Sequence, residues 1–270
     1  MFSHYLLTRF NIKKGGLSTY GDIPQTEEWL KRRFDLFEKY CFPSVTQQTV
    51  QNYTWLVLFN TETPSIFKEK INNYRLIYPP FQDLWVPPDT DEISIVKDYI
   101  LSHTQSLHII TTRLDNDDLI RNNYIELIQS SFSEEMDNCF LTFREGYHYN
   151  EPKRILLKYA WEYNHFTSRV ERREKLNTVY VEGDQHYFIS QYGSVKIIPP
   201  PSTPLEYYGE WIEVIHECNI ANTCNILSSK PLLPPKGFPE TIRISYLRYI
   251  ILRIRHTILA RLGSKKINNY

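Results

Sequence analysis

Thr112-Arg113-Leu114-Asp115-Asn116-Asp117-Asp118 is the stretch whose reading decides the fold. It follows an apolar run, Leu107, Ile109 and Ile110, that reads as a buried strand. A helical pattern then places Ile120, Tyr124, Leu127 and Ile128 on one face. Three carboxylates within four positions repel one another, and a folded chain keeps such a cluster where a cation or solvent can satisfy it. One reading is a divalent-metal site that grips a phosphorylated ligand. The other is a solvated turn whose aspartates cap the next helix. Residue types alone leave both open.

Outward from that stretch, strand and helix alternate. Residues 5–10 read as a first strand. Thr26 is a plausible N-cap with Glu27 and Glu28 behind it, and Leu30, Phe34, Phe37 and Cys41 recur at helical spacing until Pro43 marks the stop. Residues 53–59 are almost continuously apolar, as expected of a strand covered on both faces. Pro64 opens a helix with Phe67, Ile71 and Tyr74. Residues 81–86 form a third strand, 91–101 a helix with Ile93, Val96 and Ile100, 107–112 a fourth strand and 139–143 a fifth. The alternation predicts an α/β fold with a Rossmann-type, mostly parallel, doubly wound sheet and a C-terminal helical extension. Ligands of such sheets bind beyond the carboxyl ends of the strands. Thr8, Arg9 and the acidic cluster all lie at such ends.

After residue 145 the texture changes. Residues 158–166 are rich in Trp, Tyr and His, and the charged run 169–175 reads as a solvated helix face or loop. Residues 178–181 suggest a strand, and Gly183-Asp184 precedes a helical pattern with Tyr187, Phe188 and Tyr192. Proline-rich stretches at 199–204 and 231–239 bracket the apolar segment Trp211-Ile212-Glu213-Val214-Ile215-His216. The expected organisation is one domain over 1–239, with halves at about 1–145 and 146–239, followed by a basic amphipathic helix within 240–270. In that helix Ile244, Leu247, Ile251, Ile254, Ile258 and Leu262 make an apolar stripe among Arg243, Arg248, Arg253, Arg255 and Arg261. It suits an anionic membrane surface, or a face of the domain or of a partner subunit.

Composition removes several classes. Across 270 residues Lys plus Arg and Asp plus Glu are equal at 31 each, so no global field recruits nucleic acid. Cys41, Cys139, Cys218 and Cys224 form no CxxC pair, which fits a reducing cytoplasm. No basic leader opens the chain, and no apolar run approaches the roughly 20 residues that span a bilayer. The expectation is a cytoplasmic protein, at most peripheral on the inner face of the membrane. An EF-hand loop counted from Asp115 finds Glu126 at the twelfth position but Leu119 and Ile120 at the fifth and sixth, so it fails. P-loop, GxGxxG, GxSxG and HExxH patterns are missing. What stays is Asp-x-Asp at a strand end, suited to Mg²⁺ or Mn²⁺ bridging a diphosphate.

Four segments in order, Thr8-Arg9-Phe10-Asn11, the Trp55 strand, Arg113-Leu114-Asp115-Asn116-Asp117-Asp118 and the block from Trp211 to Asn219, resemble a bacterial family of rhamnosyltransferases with the GT-A glycosyltransferase fold. The likeness runs from about residue 5 to about 226, and the C-terminal helix lies outside it. The RLDNDD block is its most specific part and W-x-x-V-x-H-x-x-N the second. The family pattern has Gln and Gly where this chain has Glu213 and Glu217, a departure that bears on the acceptor side or the metal geometry.

The resemblance implies a metal-dependent glycosyltransferase that moves a sugar from a nucleoside-diphosphate donor to a glycan or lipid-linked acceptor in surface polysaccharide synthesis. Asp115, Asp117 and Asp118 then correspond to the region that holds the metal and the donor diphosphate. Asp117 is the expected direct ligand, joined by Asp118 and His216, with Mn²⁺ or Mg²⁺ as the ion. Thr8, Arg9, Arg113 and Asp115 are the expected nucleotide contacts. An inverting reaction needs a carboxylate base, for which Asp184, Glu171 and Glu145 are candidates, with His186 near the acceptor. The rival readings are a nucleotidyltransferase acting on a sugar phosphate and a non-catalytic glycan-binding or assembly protein.

Overall fold

The apolar run around Trp55 forms β2 (Thr54–Asn60), flanked in parallel by β1 (Phe2–Arg9) and β3 (Phe81–Val86). The structure is a computed structural model and describes residues 1–12, 26–180, 194–199, 209–217 and 232–261. β4 (His108–Arg113) pairs in parallel with the other edge of β1. Beyond it lie β9 (Thr167–Arg172), β6 (Cys139–Thr142) and β10 (Ser194–Ile197), completing a seven-stranded sheet ordered β10-β6-β9-β4-β1-β2-β3. In that sheet β9 alone runs against the rest. A four-stranded second sheet, ordered β5-β11-β7-β8, is built from β5 (Leu119–Ile120), β11 (Trp211–Ile215), β7 (Glu145–Asn150) and β8 (Ile155–Ala160).

The pleat sends alternate side chains to opposite faces, and helices cover both. Leu6, Trp55, Val57, Phe59 and Ile110 pack with Leu30 and Phe34 of α1 (Glu27–Leu36), Phe67 and Ile71 of α3 (Ser65–Ile77) and Ile125 of α5 (Tyr124–Ser130). Tyr5, Leu7, Leu56, Leu58 and Ile109 face Val96 and Ile100 of α4 (Glu92–His103). The Thr26 cap forms as expected, its hydroxyl accepting from the Trp29 N–H at 3.3 Å. Pro43 does not stop the helix. The chain widens into a π turn at Phe37–Cys41 and continues directly as α2 (Phe42–Thr46), so Pro43 sits inside a continuous helical run with the wider turn just before it.

Other sequence expectations need correction. The charged run 169–175 is not a solvated loop: its first half is the buried strand β9, where Arg169 and Glu171 are only 3% and 2% exposed. They tolerate burial because they satisfy each other at 3.2 Å, and Glu171 also accepts the N–H groups of Asn177 and Thr178. Residues 178–180 are not strand, and Thr178 turns the chain at a φ of +72°. Ile120 belongs to β5, and the following helix starts only at Tyr124. β9 and β10 come from beyond residue 145 yet share the sheet of β1–β4.

The second sheet seats against the first through Trp211. Its indole donates to the Phe143 carbonyl at 2.9 Å and stacks on Phe166. Gly146 is required there, since an added Cβ would lie 2.1 Å from the Trp211 ring. The last helix, α6 (Tyr246–Arg261), rests on β8 and the end of β11. Among the described residues no helix is long and apolar enough to cross a membrane.

Candidate active site

The acidic stretch leaves the carboxyl end of β4 at the middle of the large sheet, between β1 and β9. Asn116 ties it down: its amide donates to the carbonyls of Arg9 and Phe10 at 3.2 and 2.9 Å, and its oxygen accepts from Arg33 of α1. The three aspartates then point to different partners. Asp115 takes a two-pronged bond from Arg113, at 2.9 and 2.8 Å. Asp117 Oδ2 lies 2.7 Å from His216 Nε2 and 3.0 Å from Arg33 Nη1. Asp118 accepts the Val214 N–H at 2.8 Å through one oxygen and meets His165 Nε2 at 2.9 Å through the other.

Strand register explains these meetings. Because β9 runs antiparallel to β4, with Ser168 opposite Thr112, the residues before β9 fold back beside those after β4. Continued by three residues, the register sets His165 across from Asp115. In the same way β11 pairs antiparallel with β5, Ile212 opposite Leu119, which carries Val214 and His216 alongside the acids. Glu213 of β11 contacts His148 of β7 at 2.7 Å, and His148 stacks on Tyr159 with ring centres 3.7 Å apart.

Electrostatics separates the acids. Burial pushes Asp118 up to about 8, with Asp117 adding repulsion and His165 opposing. Burial also works against the charge of Asp115, but Arg113 and His165 outweigh it and hold the carboxyl below its ordinary range. For Asp117 burial is likewise overcome, by Arg33 and His216, and the carboxyl stays low. His165 is raised, burial being outweighed by Asp118 and Asp115. A cation arriving beside Asp118 would favour its ionised form, as an opposite charge does for any buried carboxyl.

Asp115, Asp118 and His165 each offer one ligand atom, and these atoms lie within 4.8 Å of one another. Two carboxylates and an imidazole make a mixed oxygen and nitrogen donor set, which suits Mn²⁺ better than the oxygen-preferring Mg²⁺. The residues therefore fit a divalent ion. Asp117 and His216, expected as ligands from the sequence, come together at 2.7 Å, and Arg33 meets the same Asp117 oxygen at 3.0 Å.

The remaining expected residues are placed as follows. Arg9 is engaged by Glu92 at 2.7 Å and lies 3.9 Å over the Tyr180 ring, at the rim of the cluster. Thr8 is corrected: it is fully buried and its hydroxyl accepts from the Trp55 indole at 3.0 Å, which turns it into the core and away from any nucleotide. Glu171 is corrected as a catalytic base. It pairs with Ile109 near the start of β4, six residues along the chain from His165, or about 20 Å of extended strand, and its oxygens are already used. Glu145 opens β7 opposite Ala160. Asp184, His186, Cys218 and Cys224 lie outside the described residues, while Cys41 and Cys139 are buried free thiols. Sequence reasoning missed His165, Arg33 and His148. His165 has no periodic context, and only an antiparallel β9 would have revealed it.

A buried acid cluster thus lies at the carboxyl edge of a mostly parallel sheet, met by His165 from just before β9 and His216 from just after β11. The sequence matches over residues 2–198 the family described as "Putative rhamnosyl transferase", and the chain belongs to that family of glycosyltransferases. The match takes in the large sheet and ends before β11 and α6. The α/β architecture with a mostly parallel sheet is the one expected from the sequence.

Among solved structures the chain is similar to S. aureus TarS 1-349 in complex with UDP-GlcNAc, at 11% identity and a TM-score of 0.43, covering 80% of this chain and 60% of that one. It is also similar to the mannosyltransferase PcManGT from Pyrobaculum calidifontis in complex with GDP-Man and Mn2+, at 11% identity and TM-score 0.41, over 80% of this chain and 57% of that one. A third is the inositol-1-phosphate CTP transferase from T. maritima, at 12% identity and TM-score 0.34, over 78% of this chain and 89% of that one. The chain thus spans about three fifths of the length of the two glycosyltransferases. No curated protein matches the sequence.

Proposed function

We propose that this glycosyltransferase is metal-dependent and moves a sugar, rhamnose by its family's description, from a nucleoside-diphosphate donor to a glycan or lipid-linked acceptor in surface polysaccharide synthesis. The observation that carries the reading is the convergence of Asp115, Asp118 and His165 beyond β4. These residues would hold a divalent ion, which when bound would supply positive charge against a diphosphate leaving group. Arg113 fixes the orientation of Asp115, and the Val214 N–H fixes that of Asp118. Arg33 and His216 hold Asp117 beside the other two acids. Arg9 and Arg113, at the strand ends, are the residues we assign to the donor phosphates, which they would meet by sharing the guanidinium groups that now bond Glu92 and Asp115.

For an inverting reaction the base is Asp184. Its support is sequence position alone, directly after Gly183 and ahead of a helical pattern. The base takes the acceptor hydroxyl proton as the anomeric carbon–oxygen bond to the diphosphate breaks. Peripheral attachment to the inner face of the membrane through residues 242–262 belongs to the same reading, since it would bring the enzyme to a lipid-linked acceptor.

The test is release of nucleoside diphosphate from a panel of nucleoside-diphosphate sugars with Mn²⁺, by wild type and Asp118→Asn. Release that needs Mn²⁺ and is lost in the variant supports the proposal. Pyrophosphate release from a nucleoside triphosphate and a sugar 1-phosphate would instead mark a nucleotidyltransferase.

A further inference from the structure

The C-terminal helix is charged and apolar in a way the rest of the chain is not. Of the 31 Lys and Arg residues, seven follow Glu240, and no Asp or Glu does, which leaves 24 basic residues against all 31 acidic ones in the preceding chain. A neutral protein is therefore split into an anionic body and a cationic end.

α6 has two apolar faces. One is used: Tyr249 and Leu252 pack against Ile155, Leu157 and Ile215. The segment before it is also fastened, with Ile242 buried in the second sheet, the Tyr149 hydroxyl on the Arg243 carbonyl and the Ser245 N–H on the Arg154 carbonyl. The other face is bare. Leu247, Ile250, Ile251, Ile254 and Ile258 are 50–68% exposed. At 100° per residue these five fall within one sector of about 100°, on the side away from Tyr249 and Leu252. Arg248 and Arg255 border that sector on one flank, and Arg253 lies beyond the other.

We infer that the bare face of α6 docks onto an anionic lipid surface, lying in the interface with its isoleucines among the acyl chains and its arginines at the headgroups. A stripe of β-branched apolar side chains bordered by arginines matches such a surface in both polarity and sign. The anionic body of a second copy carries the same sign as such a lipid surface and is the rival cover that the test separates, and the helix is too short and too charged to span. The used face gives the docking a consequence. Ile215 lies under α6 and is followed by His216, so a docked helix holds the candidate site at a fixed height over the lipid. For what it says of a lipid-linked acceptor the inference rests on the glycosyltransferase reading; for lipid binding it does not.

The test is co-sedimentation of the full chain with vesicles of phosphatidylcholine alone and of phosphatidylcholine with phosphatidylglycerol at about three to one. The expected result is pelleting with the anionic vesicles, weakened by salt and reduced at least about tenfold in Ile250→Ser/Ile254→Ser. Arg253→Gln/Arg255→Gln should bind less to anionic vesicles and show no change with neutral ones. Both pairs lie on the surface, and circular dichroism checks that the variants remain folded. Wild-type pelleting by the Ile250→Ser/Ile254→Ser variant overturns the inference. So does a wild type that ignores vesicles yet dimerises in light scattering and loses the dimer in that variant, which would make a second copy the cover. Nucleotide release with a soluble acceptor should be equal in all three proteins, so a failure of lipid binding is separable from a failure of the enzymatic reading.

Discussion

Two buried charged clusters lie along β4, and they differ in what they leave unspent. Beside its first half, Arg169 and Glu171 of β9 face each other, and the surrounding backbone groups, with Asn138, take up what remains. Beyond its carboxyl end, Asp115, Asp117, Asp118 and Glu213 gather around the guanidinium groups of Arg33 and Arg113, with His148, His165 and His216 among them. The first cluster closes on itself. The second has more acid than fixed cation, and its ligand atoms converge. Burial of charge is therefore not the mark of a site; a convergent excess of one sign is.

The comparison is broken or sharpened by substitution. The largest effect is expected for Asp118→Asn. The amide still accepts the Val214 N–H, so the fold should hold, while transfer should fall by roughly 10³-fold or more as the charge that faces the ion is lost. Turnover near wild type would remove the acidic cluster from the mechanism. Asp117→Asn should behave differently, because it leaves Arg33 and His216 without their shared carboxylate. A drop of about 3 kcal/mol in unfolding free energy, measured by denaturant titration, should accompany its loss of activity. An active, unaltered Asp117→Asn protein would mean that the ion pair is idle.

Glu171→Gln is the matched control in the closed cluster, and transfer should stay within about threefold of wild type. Its pH dependence carries the sign. Burial, opposed by Arg169 and two N–H groups, pushes Glu171 up to about 7 from an ordinary 4.5. Between those values the folded protein keeps a proton that the unfolded chain releases. The stability this residue contributes is thus whole below about 4.5 and is lost as pH rises through 7. The stability of wild type relative to Glu171→Gln should decline over that window by on the order of 1–3 kcal/mol. A difference independent of pH would contradict the assignment. The smallest effect is expected for Thr8→Val, which should lower stability by about 1 kcal/mol through the lost Trp55 bond and leave the donor KM unchanged.

The same contrast shows what was legible in the sequence. The parallel strands β1 to β4 announce themselves because each carries a short apolar run, nearly continuous in β2, and each is followed or preceded by a helix with a clear stripe. The strand β9 was hidden because Thr167-Ser168-Arg169-Val170-Glu171-Arg172 has the polarity of a surface loop, and only its partners make burial tolerable. With β9 hidden, the histidine it delivers could not be seen, and Glu171 stood as a catalytic candidate although the antiparallel register carries it away from the acids. Asp115 to Asp118 were found from local chemistry alone. Their division of labour was not, since Arg33 reaches them from a helix more than eighty residues earlier.

The claim that Asp115, Asp118 and His165 form the metal-holding cluster is tested most directly by calorimetric titration of Mn²⁺ into the full chain with a nucleoside diphosphate present. Wild type and Glu171→Gln should bind one ion with similar affinity, and Asp118→Asn should bind at least about tenfold more weakly. Equal Mn²⁺ affinity in wild type and Asp118→Asn would contradict the account.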